Sequence, residues 1–127
     1  MSDNDRKTIL IVDDDPEIRH ALRLLFEFES FEVVAEATHG MEAIPIALKH
    51  QPDFVILDYL MPKLDGYKTA EILRGVAPEA RIVAFSAVLD AKPNWADAYL
   101  NKDRIAEIAP LLASLVDMTP RAAAEAT

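Results

Sequence analysis

Short apolar runs that stop abruptly on a functional side chain recur along this sequence. Thr8-Ile9-Leu10-Ile11-Val12 ends at Asp13-Asp14-Asp15, and Phe54-Val55-Ile56-Leu57 ends at Asp58. Arg81-Ile82-Val83-Ala84-Phe85 ends at Ser86, and Ala98-Tyr99-Leu100-Asn101 ends at Lys102. Runs of this length, bounded by turn-formers, read as strands. Strands apolar on both faces have to be covered on both, as in a parallel sheet sandwiched between helices. Phe31 to Ala37 only partly alternates and carries Glu32 and Glu36, so it reads as an edge strand.

The segments between these runs carry helical spacing. Asp15-Pro16-Glu17 starts a helix with an N-cap, a proline at the first helical position and an acid in the first turn. Ile18, Ala21, Leu22 and Leu25 form its core-facing stripe, with Arg19, Arg23 and Glu27 off it. Thr38-His39-Gly40 turns into a second helix that runs to about His50, where Pro45 marks either a kink or the true start. Gln51-Pro52-Asp53 ends it. A third helix is expected from Gly66 to Arg74, with Ala70 and Leu73 facing the core and Gly75 as its stop. Asp103 is expected to cap a last helix through Ile105, Ile108, Ala109, Leu112 and Leu115/Val116, with Pro110 as an irregularity. Strand and helix thus alternate five times, which predicts a doubly wound α/β fold. We expect a polar leader over residues 1–7, one domain over 8–117 and a disordered, Ala-rich tail over 118–127.

Charge narrows the partners. The net charge is −9, from 22 acidic and 13 basic residues, and no Lys/Arg cluster stands out, which argues against a nucleic-acid partner. There is no cysteine, so disulfides and thiolate metal sites are excluded. No apolar run approaches the ~20 residues of a membrane span, and we expect a cytoplasmic protein with no membrane partner. His20, His39 and His50 lack metal-ligand spacing and read as surface residues.

In an open parallel sheet, ligands bind outside the carboxyl ends of the strands. Asp13, Asp14, Asp58, Ser86 and Lys102 all fall at that rim. Three carboxylates there repel one another unless a cation sits among them, and all-oxygen ligands favour a hard cation, Mg²⁺ or Mn²⁺. A carboxylate beside such an ion, with a hydroxyl and an ammonium opposite, suits phosphoryl transfer in which the carboxylate attacks in line to form an acyl phosphate. Asp15 is assigned to capping. Met61-Pro62 and Asp65-Gly66 shape the loop after Asp58: proline fixes φ and glycine permits a tight approach to the next helix.

Val12-Asp13-Asp14-Asp15-Pro16, Leu57-Asp58-Tyr59-Leu60-Met61-Pro62-Lys63-Leu64-Asp65-Gly66, Phe85-Ser86-Ala87 and Tyr99-Leu100-Asn101-Lys102 together resemble the receiver domain of two-component response regulators, over residues 7 to 117. The resemblance implies a flavodoxin-like sheet of order 2-1-3-4-5 and a cytoplasmic phosphorelay role. It implies Asp58 as phosphoacceptor, Asp13 and Asp14 as the acidic pair holding Mg²⁺, and the Leu60 backbone carbonyl as a further ligand. Ser86 would be the switch hydroxyl, Lys102 the phosphate-sensing ammonium and Tyr99 the aromatic that turns inward on activation. The implied partner is a histidine kinase or histidine phosphotransfer protein, followed by a downstream protein target. The implied form is a single-domain regulator, monomeric or weakly dimeric, that assists its own phosphorylation without being an enzyme.

One region departs from that pattern. Residues 87 to 97, which include Pro93, are all that connects the fourth strand to the fifth, at the minimum of about 10–12 residues for a parallel crossover. A full fourth helix does not fit, and we expect it to be short or missing. That puts the family's usual output face in question and leaves Trp95 either to cover the exposed core or to anchor a partner. The residues two after Asp58 and two after Ser86 are apolar, Leu60 and Val88, which suggests a phosphoryl group held rather than rapidly hydrolysed. Two rival readings are a phosphorylation-independent pseudo-receiver that only binds partners, and a haloacid-dehalogenase-like phosphatase with Asp13 as nucleophile.

Overall fold

The computed structural model describes residues 6–60, 64–88 and 90–116. The expectations for the extreme N-terminus, for Met61-Pro62 and for the tail lie outside these residues. Five parallel strands form one sheet in the order β2-β1-β3-β4-β5. They are β1 (Lys7–Val12), β2 (Phe31–Ala37), β3 (Phe54–Leu57), β4 (Arg81–Ser86) and β5 (Ala98–Asn101). The helices are α1 (Pro16–Glu27), α2 (Gly40–His50), α3 (Gly66–Val76) and α4 (Ile108–Leu115), and a 3₁₀ segment, Lys102–Glu107, leads into α4. The glutamate-bearing strand is at the edge, as its composition predicted, and it bulges where the register shifts between Ile9 and Leu10.

Alternation along the central strands builds two cores. Ile9, Ile11, Phe54, Ile56, Val83 and Phe85 point to the layer of α1 and α4, where they meet Leu22, Phe26, Ile108 and Leu112. Leu10, Val12, Val55, Leu57, Ile82 and Ala84 point the other way, onto Ala43, Ala47, Ala70 and Leu73 of α2 and α3. The small alanines let α2 and α3 lie close to the sheet. At Gly40 an added Cβ would fall 2.0 Å from the Thr69 hydroxyl oxygen, so the start of α2 packs onto α3 with no room for a side chain.

Between β4 and β5 the described residues hold no helix, as the short spacing predicted. Trp95 takes over the cover: it is buried in the α2/α3-side core beside Ala96 and stacks on Tyr59, with ring centroids 6.1 Å apart and planes at 14°. Of the two uses anticipated for Trp95, covering the core is therefore realised.

Two boundaries differ from expectation, and the choice left open at Pro45 is resolved. The second helix begins at Gly40, before Pro45, with His39 as its cap: the imidazole Nδ1 accepts from the Glu42 N–H at 3.2 Å. Pro45 lacks the N–H that would serve the Met41 carbonyl one turn back, and both residues are exposed. The third helix passes through Gly75 to Val76, because packing of Leu73 and Ala77 outweighs a single glycine's preference, and the Ala77 N–H closes on Leu73 O at 2.8 Å. The last helical stretch is capped by Asn101, whose side chain accepts from the Asp103 N–H at 2.8 Å, and Asp103 itself lies inside the 3₁₀ turn. Pro110 explains the delay. It lies in the first turn of α4, where its missing N–H has no helical partner to lose, so the α-helix starts just before it.

Candidate functional site

Register brings the acids together. Val12 pairs with Leu57, so Asp13 and Asp58 leave neighbouring strands side by side, and the Asp58 N–H still donates to Val12 O at 3.0 Å. On the next strands Ser86 pairs with Asn101, which puts Lys102 one residue beyond at the same rim. The Lys102 ammonium reaches back to both acids: Nζ is 2.8 Å from Asp13 Oδ2 and 3.2 Å from Asp58 Oδ2. Its approach is guided by the Phe85 ring, whose centroid is 5.9 Å away.

Asp13, Asp58 and Ser86 are buried, while Asp14 is exposed. The carboxylate oxygens of Asp13, Asp14 and Asp58 lie within 4.8 Å of one another. Asp13 Oδ1 accepts the Asp15 N–H at 2.9 Å, and Asp15 in turn caps α1 by accepting the Glu17 N–H at 2.9 Å, the role assigned to it from sequence. Burial and the adjacent Asp13 charge push the Asp58 carboxyl up to about 6, against the opposing pull of Lys102 and the Leu60 N–H. Burial pulls the Lys102 ammonium down, yet Asp13 and Asp58 carry it above the ordinary lysine value. One ammonium thus bridges two of three clustered carboxylates, and the raised Asp58 value reflects burial first and the neighbouring Asp13 charge second. Three oxygen donors, with no nitrogen or sulfur ligand among them, fit a hard divalent cation.

The remaining sequence candidates take different places. The Ser86 Oγ accepts the Val88 N–H at 3.2 Å, which leaves its own O–H to donate. The Leu60 N–H makes a long contact to Asp58 Oδ1, 3.4 Å, and its side chain stands 57% exposed. Tyr99 stands apart from the acid cluster. It is half-buried against the α2/α3-side core and lines a groove with Asp90, Asn101, Asp103 and Arg104.

Gly66 closes the loop after Asp58. Its N–H donates to Tyr59 O at 2.9 Å, and a Cβ there would lie 2.9 Å from Tyr59 Cα and 3.0 Å from the Asp58 carbonyl oxygen. Those neighbours are backbone and cannot yield, so only glycine lets α3 start this close to Asp58. Asp65 caps that start by accepting the Lys68 N–H at 2.9 Å.

Arg19 has a role that helical spacing did not reveal. Sequence reading placed it off the core-facing stripe of α1 and gave it no role, whereas its guanidinium donates to the Asp13 carbonyl at 2.7 Å and to Glu36 at 2.9 Å. Glu36 also meets Arg23, and although its burial opposes ionisation, the two arginines hold its carboxyl below the usual range.

The geometry has counterparts among known proteins. The profile of the response regulator receiver domain matches residues 9–103, and the chain belongs to that family. The nitrate/nitrite response regulator protein homolog of Haemophilus influenzae is 39% identical over 107 residues, which is 78% of this chain and 51% of that protein. The nitrate/nitrite response regulator protein NarL of Escherichia coli (strain K12) is 36% identical over 110 residues, 81% of this chain and 51% of that protein. The chain therefore spans about half the length of these curated relatives. Response regulator protein TrrA from Thermotoga maritima, solved in complex with Mg(2+)-BeF, superposes with a TM-score of 0.76 at 31% identity, covering 86% of this chain and 98% of that one. The protein is a receiver domain of the two-component type, and its acidic cluster corresponds to that of Mg-binding receivers. No helix among the described residues is long and apolar enough to cross a membrane.

Proposed function

We propose that this receiver accepts a phosphoryl group on Asp58 from a histidine kinase or a histidine phosphotransfer protein, and that Mg²⁺ is held by Asp13, Asp14, Asp58 and the Leu60 carbonyl. The observation that carries the reading is the single ammonium of Lys102 bridging Asp13 and Asp58 at 2.8 and 3.2 Å, beside a third carboxylate. In the metal-free site burial and Asp13 push the Asp58 carboxyl up to about 6, so it is mostly ionised at neutral pH and available as a nucleophile. An Asp58 oxygen forms the new O–P bond, the donor's N–P bond breaks, and the released imidazole keeps the electron pair and takes up a proton. Lys102, already seated over Asp58 Oδ2, neutralises charge on the phosphoryl oxygens. The free O–H of Ser86 donates to one of them. A Mg²⁺ held by these residues would supply further neutralisation of the transferring group's charge.

The chain is on this reading a phosphoacceptor and not an enzyme, and Ser86 and Tyr99 are its switch residues. Exposed Leu60 and Val88 offer no polar group to orient a hydrolytic water, so the acyl phosphate is retained. The test is incorporation of phosphate from acetyl phosphate or a kinase with Mg²⁺, followed by mass mapping of the modified residue. Incorporation at Asp58 that disappears in Asp58→Asn supports the reading. A chain that stays unmodified is a pseudo-receiver, and label on Asp13 decides for phosphatase chemistry.

A further inference from the structure

We propose that Arg19 is a positioning residue that sets the geometry of the Asp13-Asp14 pair; the inference rests on the Mg²⁺ reading above. Both backbone polar groups of Asp13 are tied to edge strand β2. Its N–H donates to Ala37 O at 3.1 Å, and its C=O accepts from Arg19, which the neighbouring Glu36 holds at 2.9 Å. The Asp13 carbonyl and the Asp14 N–H belong to one planar peptide unit, so fixing the carbonyl fixes the plane from which Asp14 departs. That matters because nothing else holds Asp14. Its carboxylate is exposed and makes no hydrogen bond or ion pair among the described residues, whereas Asp13 is clamped by Lys102 and the Asp15 N–H. Arg19 is well placed to act as a strut: its side chain is only 16% exposed, against 46% for Arg23, which reaches the same glutamate without touching Asp13.

Two effects of removing Arg19 oppose each other in sign. Deleting a cation near an acidic site strengthens binding of a divalent cation by Coulomb's law alone. Loosening the Asp13-Asp14 peptide weakens it, because the ligands have to be ordered on binding, and losing a group that orients metal ligands lowers affinity by about 10–100-fold. We expect the second to win.

The experiment compares Arg19→Met, Arg19→Lys and Arg23→Met in the whole chain, with Mg²⁺ affinity from calorimetry and amide exchange of Asp14 and Asp15 without metal. Arg19→Met is expected to weaken Mg²⁺ binding about tenfold and to speed exchange of both amides, and Arg19→Lys, which keeps a donor for the carbonyl, to recover to within about threefold of wild type. Arg23→Met removes the same charge and the same Glu36 partner, and is expected to change affinity less than about twofold. Affinity unchanged or increased in Arg19→Met, or weakened equally in Arg23→Met, overturns the proposal. Should Arg19→Met not fold, Glu36→Gln, which frees the guanidinium from its second anchor, is expected to weaken Mg²⁺ binding about threefold, and no loss there overturns it. A wild-type chain that binds no Mg²⁺ defeats the functional reading, and the exchange data then decide the positioning role alone.

Discussion

Aspartates occupy both ends of the sheet, and the two ends treat them in opposite ways. At the N-terminal ends of the strands Asp53 and Asp97 each accept a backbone N–H from the neighbouring strand. Asp53 Oδ2 accepts the Thr8 N–H at 2.8 Å and the Thr8 hydroxyl at 3.2 Å, and Asp97 Oδ2 accepts the Ile82 N–H at 2.8 Å. These carboxylates stitch strand starts together: Asp53 joins β1 to β3, and Asp97 joins β5 to β4. At the C-terminal ends Asp13, Asp14 and Asp58 crowd together around one ammonium, and Asp58 is pushed up to about 6. The lower rim spends its acids on stability. The upper rim crowds its acids around one ammonium, the arrangement on which the proposed cation and phosphoryl site rests.

Substitutions can break this contrast, and the largest effect lies on the flank between the rims. Trp95→Ala removes the aromatic cover that stands where a crossover helix would pack. It is expected to lower unfolding free energy by about 3–5 kcal/mol in urea titrations. If the upper rim is held by the sheet and not by the crossover, Mg²⁺ affinity of the folded variant stays within about twofold. A large loss of affinity would show that the Tyr59–Trp95 stack helps to hold the loop after Asp58.

The paired aspartates come next. Asp53→Asn is expected to destabilise by about 1–3 kcal/mol, because an amide accepts these bonds more weakly than a carboxylate and brings N–H donors to a site built for an acceptor. Asp58→Asn is expected to do the reverse and stabilise the metal-free chain at pH 7 by about 1–2 kcal/mol, after discounting for screening. The sign follows from the raised carboxyl. Above pH 6 the native state bears a penalty that the unfolded chain does not, and the penalty disappears as pH falls through about 6 toward the unfolded value near 4. The gap between wild type and Asp58→Asn in denaturant melts should therefore close between pH 7 and pH 4. Equal signs for the two substitutions would erase the contrast between the rims.

The smallest expected effect concerns lifetime. On the proposed phosphorylation of Asp58, Leu60→Asn or Val88→Glu, each adding a polar group at that rim, should shorten the half-life of the phosphorylated chain several-fold, about 1 kcal/mol in the barrier. Unchanged decay in both would remove these two side chains from the account of retention.

Much of this molecule was legible because its signals are local. Apolar runs with both faces hydrophobic demand a sheet covered on both sides, and Ile9/Leu10 or Val55/Ile56 supply opposite cores simply by alternation. Parallel strands that each end on a functional residue must present those residues at one rim, so Asp13, Asp14, Asp58, Ser86 and Lys102 could be grouped before any coordinate. The vestigial crossover followed from chain length alone, since residues 87–97 cannot hold a helix and two loops.

Tertiary structure decided what depends on partners distant in sequence. Helix ends moved at Gly75 and Asp103, where packing or a neighbouring cap outweighed local preference. Arg19 lay off the apolar stripe, and its role appeared only when Asp13 O and Glu36 of the edge strand were placed beside it. Periodicity reports which side of a helix faces the core, but not which long polar side chain folds back over its rim to meet a carbonyl. The choice of residues at the acid rim is a property of the sequence. Their spacing, the charge left on Asp58 and the strut beneath Asp14 arise only when β2, β1, β3 and the start of β5's following turn are brought side by side.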